Sequence, residues 1–291
     1  MQQAINGLFL GSIYALFALG YTLVFGVLDI LNLAHQAVFM LCAFTALALV
    51  SVLHLHALVA LPAAIVAAGL IGIVLDRIAF RPLRGRSDSN ISGLISSLAA
   101  ATLFESIAVG IWGPDISRFP FGVVPDRQLH VAGAVISELQ MVIIGISVVM
   151  MGALTWLVRR TRLGRQIRAV AESPLAARIM GVNVDRVIAA SFFISSALGG
   201  AAGVLFGLAF NNVSADMGRS VELKGLAVII LGGMGSMPGA VLAGFGLGLI
   251  EVLTVAKLGS SYRDAVSFGV LFLVLLLRPR GLLGQVATRL A

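Results

Sequence analysis

The chain has 291 residues, 59% of them hydrophobic and 11% charged, with a mean hydropathy of +1.04. A soluble domain carries about a quarter charged residues, so 13 acids and 20 bases cannot clothe a water-exposed surface of this size, and soluble enzyme folds are excluded. The single cysteine, Cys42, lies in an apolar run and rules out a disulfide framework or a Cys-based metal site, while the placement of the +7 net charge reads as membrane sidedness rather than a nucleic-acid surface.

In chain order, no Asp, Glu, Lys or Arg precedes Asp29, and none falls between Asp29 and Asp76. The first predicted span is Ala4 to Leu28, too long for the apolar part of a signal peptide and without its basic flank, so it is expected to stay in the protein. Ala37 to Leu53 and Leu58 to Leu75 follow, divided by His54-Leu55-His56, and then Ile91 to Trp112, Leu139 to Val158 and Val187 to Phe210. After Lys224 an uncharged stretch runs to Ile250, interrupted at Gly232 to Gly239, and the last run ends at Leu277. These runs exceed a barrel strand and lack strict alternation, so they span as helices. The predicted fold is an all-α polytopic membrane protein: a bundle of roughly eight or nine transmembrane helices with broken or re-entrant segments, in one domain covering 1–291.

Fourteen of the twenty bases fall in three places: Arg77 to Arg86, Arg159 to Arg186 and Arg278 to Arg289. Short loops rich in Lys and Arg stay in the cytoplasm. The loop at about 159–186 and the tail at about 278–291 are therefore expected inside the cell, and the loop at about 113–138 outside.

No site for catalysis is legible. The two lysines, Lys224 and Lys257, do not follow glycine, so there is no P-loop; HExxH and GxSxG are absent, and the four histidines are scattered. The chain reads as a passage. Asn32 and His35 fall in a polar break, Asp29 to Gln36, which fits either an unwound segment inside the membrane or a plain surface turn. Gly232, Gly233, Gly235 and Ser236 form a second break, whose freed backbone groups suit a zwitterionic solute and whose small residues equally suit close helix packing. Glu105 and Glu251 stand toward the outer ends of their spans, where a carboxylate suits an electronegative vestibule, a proton-coupled site or, as the plainer reading, an interface. Gly199, Gly200, Gly203 and Gly207 read as a packing face.

Within 159–186, Ser173 suits an N-cap, Pro174 a first helical position and Gly181 a terminator, giving a short helix that reads as a docking surface, with an ordinary basic loop as the alternative. Its Ala171-Glu172, Ala176-Ala177 and Gly181 resemble the "EAA" loop of bacterial ABC import permeases. Gly11 to Leu16, Phe25-Gly26-Val27, Asn32 to His35, Leu231 to Ala240 and Arg278 to Leu282 are similar to the branched-chain amino acid permease family, in the shorter of its two paired subunits. Asp29, Gln36 and Ala243 depart from the family's small or glycine residues. The resemblance implies a permease without ATPase activity, coupled through Glu172, Ala176, Ala177, Arg178 and Gly181. Its implied partners are a second permease, two ATP-binding subunits that use ATP and Mg, an external solute-binding protein and the bilayer. The chain itself is expected to bind no cofactor, metal or nucleic acid. Urea, amides or simple sugars as solutes, and a stand-alone ion-coupled transporter, are the competing readings.

Overall fold

The computed structural model describes residues 1–84, 89–120, 127–131, 134–278 and 281–284. Eleven helices are described: α1 Gln2–Leu28, α2 His35–Ser51, α3 Ala57–Leu75, α4 Ser89–Trp112, α5 Glu138–Arg160, α6 Arg162–Glu172, α7 Pro174–Ile179, α8 Val184–Phe210, α9 Met217–Gly232, α10 Met237–Leu258 and α11 Arg263–Leu277. Among the described residues, seven helical stretches are long and apolar enough to cross a membrane, and α2 is a shorter apolar helix. With α9, a 16-residue helix that carries Glu222 and Lys224, this matches the expected eight or nine apolar segments. The all-α reading holds except for one short hairpin, β1 Gln128–Val131 against β2 Ala134–Ser137, paired antiparallel with Gln128 opposite Ser137.

Burial sorts the helices. The most apolar window of α1 is 83% buried, whereas that of α11 is 6% buried. A helix that is apolar all round belongs inside protein or lipid; α1 takes the first place and α11 the second. Small residues let the central helices approach. A Cβ added at Gly244 of α10 would meet Ala15 Cα of α1 at 2.6 Å, and one at Gly11 would meet Phe245 Cα at 2.7 Å. On α8 a Cβ at Gly203 would strike the Phe39 carbonyl of α2, and one at Gly199 the His35 ring. The glycine face foreseen on α8 is thus a packing face, because backbone meets backbone where a side chain has no room.

The bundle has two distinct ends. At one, the hairpin sits beside the start of α1: the Gln2 side chain donates to the Val135 carbonyl and accepts from the Val135 amide, both at 2.9 Å. At the other, α6 and α7 form an elbow. Thr161 caps α6 by accepting from the Gly164 amide at 3.0 Å, and Ser173 caps α7 by accepting from the Ala176 amide at 3.2 Å. Pro174 opens α7 and Gly181 follows it at φ +81. At the same end Arg84 bridges two helical segments, pairing with Asp76 and, at 3.1 Å, with Asp185. Arg86, Asp126, Arg280 and Arg289, on which parts of the charge-based topology rest, lie outside the described residues.

Candidate functional site: a charged cavity beside α9

A cavity of about 510 Å³ opens among α1, α8, α9 and the start of α11. Its apolar wall includes Phe206 and Phe210 from the end of α8 and Phe268 from α11; its polar wall includes Tyr14, Asn212, Lys224, Arg263 and Asp264. The volume falls in the range of about 300–1,000 Å³ that small-molecule sites occupy.

The chemistry is concentrated behind the polar wall. Glu251 of α10 is 0% exposed, and one of its oxygens accepts from both Lys224 Nζ and Arg263 Nε. The Tyr14 hydroxyl lies 3.3 Å from Lys224 Nζ and 3.3 Å from a terminal nitrogen of Arg263, accepting from each. Lys224 also pairs with Asp264 at 3.3 Å. Two cations and two carboxylates therefore make a neutral quartet. An unpaired charge in a hydrocarbon interior is expensive, and mutual pairing is what lets Lys224 and Glu251 stand in otherwise apolar helices. Two acceptors near this quartet have no hydrogen-bond partner among the described residues: the second oxygen of Glu251 and Asn212 Oδ1.

The residues singled out for a passage do not converge on this cavity. Asn32 and His35 are 2% and 0% exposed, whereas Asp29 at the head of the break is exposed, so the break runs from the surface into the protein and both candidate residues lie at its enclosed end. Asn32 Oδ1 accepts from the Ala34 amide at 3.1 Å, and Ser97 Oγ accepts from the Leu33 amide at 3.1 Å, replacing the bonds a helix would have made. The His35 ring packs 4.7 Å from Phe17 and 5.5 Å from Tyr21, centroid to centroid, and lines neither this cavity nor the second one below.

The Gly232 to Gly239 break joins α9 to α10 at the elbow end. Gly233 and Gly235 take φ +98 and +83 there, and Ser236 caps α10 by accepting from the Gly239 amide at 3.2 Å. The carbonyls that the break frees on Leu231 and Gly232 accept from the amides of Leu282 and Leu283, at 2.7 and 3.0 Å. The chain's own later segment occupies them, so those two are not open to a solute. Glu105 accepts from Arg219 at 2.9 Å, away from the quartet. Of the residues foreseen, only Glu251 belongs to the charged group behind the cavity wall, and its full enclosure overturns the interfacial reading.

The family model described as "Branched-chain amino acid transport system / permease component" matches residues 3–275. The chain belongs to this family. It is 35% identical to the high-affinity branched-chain amino acid transport system permease protein BraD of Pseudomonas aeruginosa, over 98% of this chain and 96% of that one. It is 34% identical to LivH of Escherichia coli over the same shares, and 25% identical to a probable branched-chain amino acid transport permease protein LivH of Methanocaldococcus jannaschii over 94% and 89%. No solved structure matches.

In this permease the elbow forms a second recess, of about 360 Å³, whose lining includes Leu28, Arg84, Pro174, Leu175, Arg178 and Val184. Glu172, Ala176, Arg178 and Gly181 are exposed on α6 and α7, as a docking surface requires, but Ala177 is 3% exposed and faces its own chain. Leu175, Ile179 and Met180 are 71%, 78% and 82% exposed. Sequence alone does not mark Lys224, Arg263 and Tyr14 as site residues, because the two bases stand at the edges of apolar runs and Tyr14 lies inside one. The available signal was the coexistence of one Lys and one Glu in apolar stretches on either side of the Gly232 break, each costly without the other.

Proposed function

We propose that the chain is the membrane-spanning permease subunit of an ATP-driven importer of branched-chain amino acids, working with a second permease, two ATP-hydrolysing subunits and an external solute-binding protein. The observation that carries this reading is the chain-long likeness to permeases named for that transport. The hairpin end would face outward to receive solute, and the elbow end inward, where the bases of 159–186 gather. ATP and Mg would be used by the partner subunits seated on α6 and α7. Asn32, His35 and the Gly232 to Ser236 segment would act by holding the broken helices around the path.

Ion coupling through Glu105 and Glu251 is disfavoured, since Arg219 occupies the first and Lys224 with Arg263 the second. The test is to purify the chain with its genomic neighbours, reconstitute the complex, and measure ATP hydrolysis and leucine uptake with and without loaded binding protein. Stimulation of both by the loaded protein is expected. Uptake driven by an ion gradient without ATP would sink the reading.

A further inference from the structure

The quartet beside the cavity has a composition that the transport reading does not by itself require. Lys224 and Arg263 both line the cavity, and both spend one face on Glu251, which stands behind them and is not part of the lining. Lys224 spends its three N–H groups on Glu251, Tyr14 and Asp264, whereas Arg263 gives donors to Glu251 and Tyr14 and keeps the rest of its five for the space. Asp264 is on the lining too, with 67% of its side chain exposed, and so is Asn212, whose buried amide oxygen has no partner among the described residues. The cavity thus offers donors and acceptors on one wall, zero net charge, and aromatic rings on the other.

We propose that this cavity binds the zwitterion of an aliphatic amino acid, with Arg263 taking its carboxylate beside the charge of Lys224, Asp264 its ammonium, and Phe210 and Phe268 its side chain. The proposal rests on the importer reading above and assigns the chain its own solute site. Physical chemistry narrows the ligand class. Arg binds a carboxylate through two parallel bonds, and bonds to ionised groups are roughly twice as strong as neutral ones. A second carboxylate on the solute would meet Asp264 and be repelled. A sugar or urea has no charge to set against either sign, and urea has no apolar body to lay against the aromatic wall. Loss of either charged group from the solute should therefore remove binding, whereas a change in aliphatic length should alter it gradually.

The experiment measures binding of leucine, of isoamylamine, which lacks the carboxylate, and of 4-methylpentanoate, which lacks the ammonium. The assembled transporter without its solute-binding protein is used, in phosphatidylglycerol nanodiscs so that no zwitterionic headgroup competes. Leucine should bind and each truncated analogue should bind about tenfold or more weakly. Arg263→Lys and the surface-tolerant Asp264→Asn should each weaken leucine by a similar factor, with melting of the assembled complex confirming the fold. Equal binding of the three compounds, wild-type leucine affinity in both variants, or no leucine binding by the wild type overturns the proposal. Uptake by the complete wild-type transporter separates the two readings: leucine uptake without binding at this cavity defeats the site alone, and no leucine uptake defeats the importer reading as well.

Discussion

Lys224 of α9 and Glu251 of α10 meet as an ion pair whose carboxylate is 0% exposed. They are separated in sequence by the helix break at Gly232 to Gly239, and the break is what folds one helix back to bring them together. Removing one partner of a buried pair costs about 3–5 kcal/mol, because the other charge is left unmet. Glu251→Ala should therefore lower stability by about that amount, since two cations lose their acceptor. Glu251→Gln keeps an acceptor oxygen and should lose less. Thermal unfolding of the purified complex checks the order; equal losses would mean that side-chain volume, and not charge, is what matters there.

Glu222 behaves in the opposite way. It is 7% exposed, and one of its oxygens has no partner among the described residues; the same holds for the Tyr21 hydroxyl, His35 Nδ1 and Gln36 Oε1. Gly218, one turn earlier on α9, is pressed against the Gln36 backbone, so Glu222 projects near the start of α2. Burying an unsatisfied polar group costs about 1–3 kcal/mol by mutational measures. Glu222→Leu, which removes both oxygens at similar volume, is expected to raise the melting temperature. A fall would show that the carboxylate has a partner, such as an ordered water or ion.

Helix contact at glycine predicts a contrast between two identical substitutions. Gly203→Ala places a methyl on the Phe39 carbonyl and should destabilise the α2–α8 contact, whereas Gly145→Ala in α5 meets nothing within 4 Å. The latter should stabilise by up to about 1 kcal/mol through helix propensity alone. Yield and melting of the two variants, compared side by side, decide the matter; similar behaviour would argue against the close approach.

The elbow predicts a division of labour. Ile179→Ser and Leu175→Ser alter exposed side chains and should weaken capture of the ATP-hydrolysing subunit in pull-down, with melting of the permease unchanged. Ala177→Trp strikes the permease's own packing and should lower its stability first. Full capture by both serine variants would leave α7 as a plain loop helix.

Sidedness follows from single cysteines. Cys42 is buried and should stay silent to membrane-impermeant reagent. Ser173→Cys should label only from the inner face and Asp115→Cys only from the outer. Labelling of Ser173→Cys in intact cells would invert the arrangement.

The spans were legible in the sequence because an apolar run of about 20 residues has few alternatives to a crossing helix. Predicted Ile91 to Trp112 is observed as Ser89–Trp112, and predicted Val187 to Phe210 as Val184–Phe210. The α7 helix was legible for a different reason: Ser173, Pro174 and Gly181 are local signals that act within one or two turns. What composition hid is tertiary. The hairpin β1–β2 is made of two four-residue strands, too short for their sequence to stand out, and the Lys224, Glu251, Arg263 and Tyr14 cluster joins four helices across 249 positions of chain. Sequence spacing carries no record of such a meeting, only the cost of each charge standing alone.

The enclosure of α1 bears on how the protein is made. This helix emerges first, yet Gln2 is held by Val135, and the glycine contacts that seat α1 come from Gly244 and Gly248 on α10. At about 5–20 residues per second of synthesis, the ribosome supplies those partners many seconds after α1 has entered the bilayer. Until then its uncharged, largely apolar side chains can rest against lipid as well as they later rest against protein. A chain truncated before Met237 should thus insert α1 but leave it extractable and open to crosslinking with lipid, and translation of α10 should close it, so that the segment born first is the last to find its place.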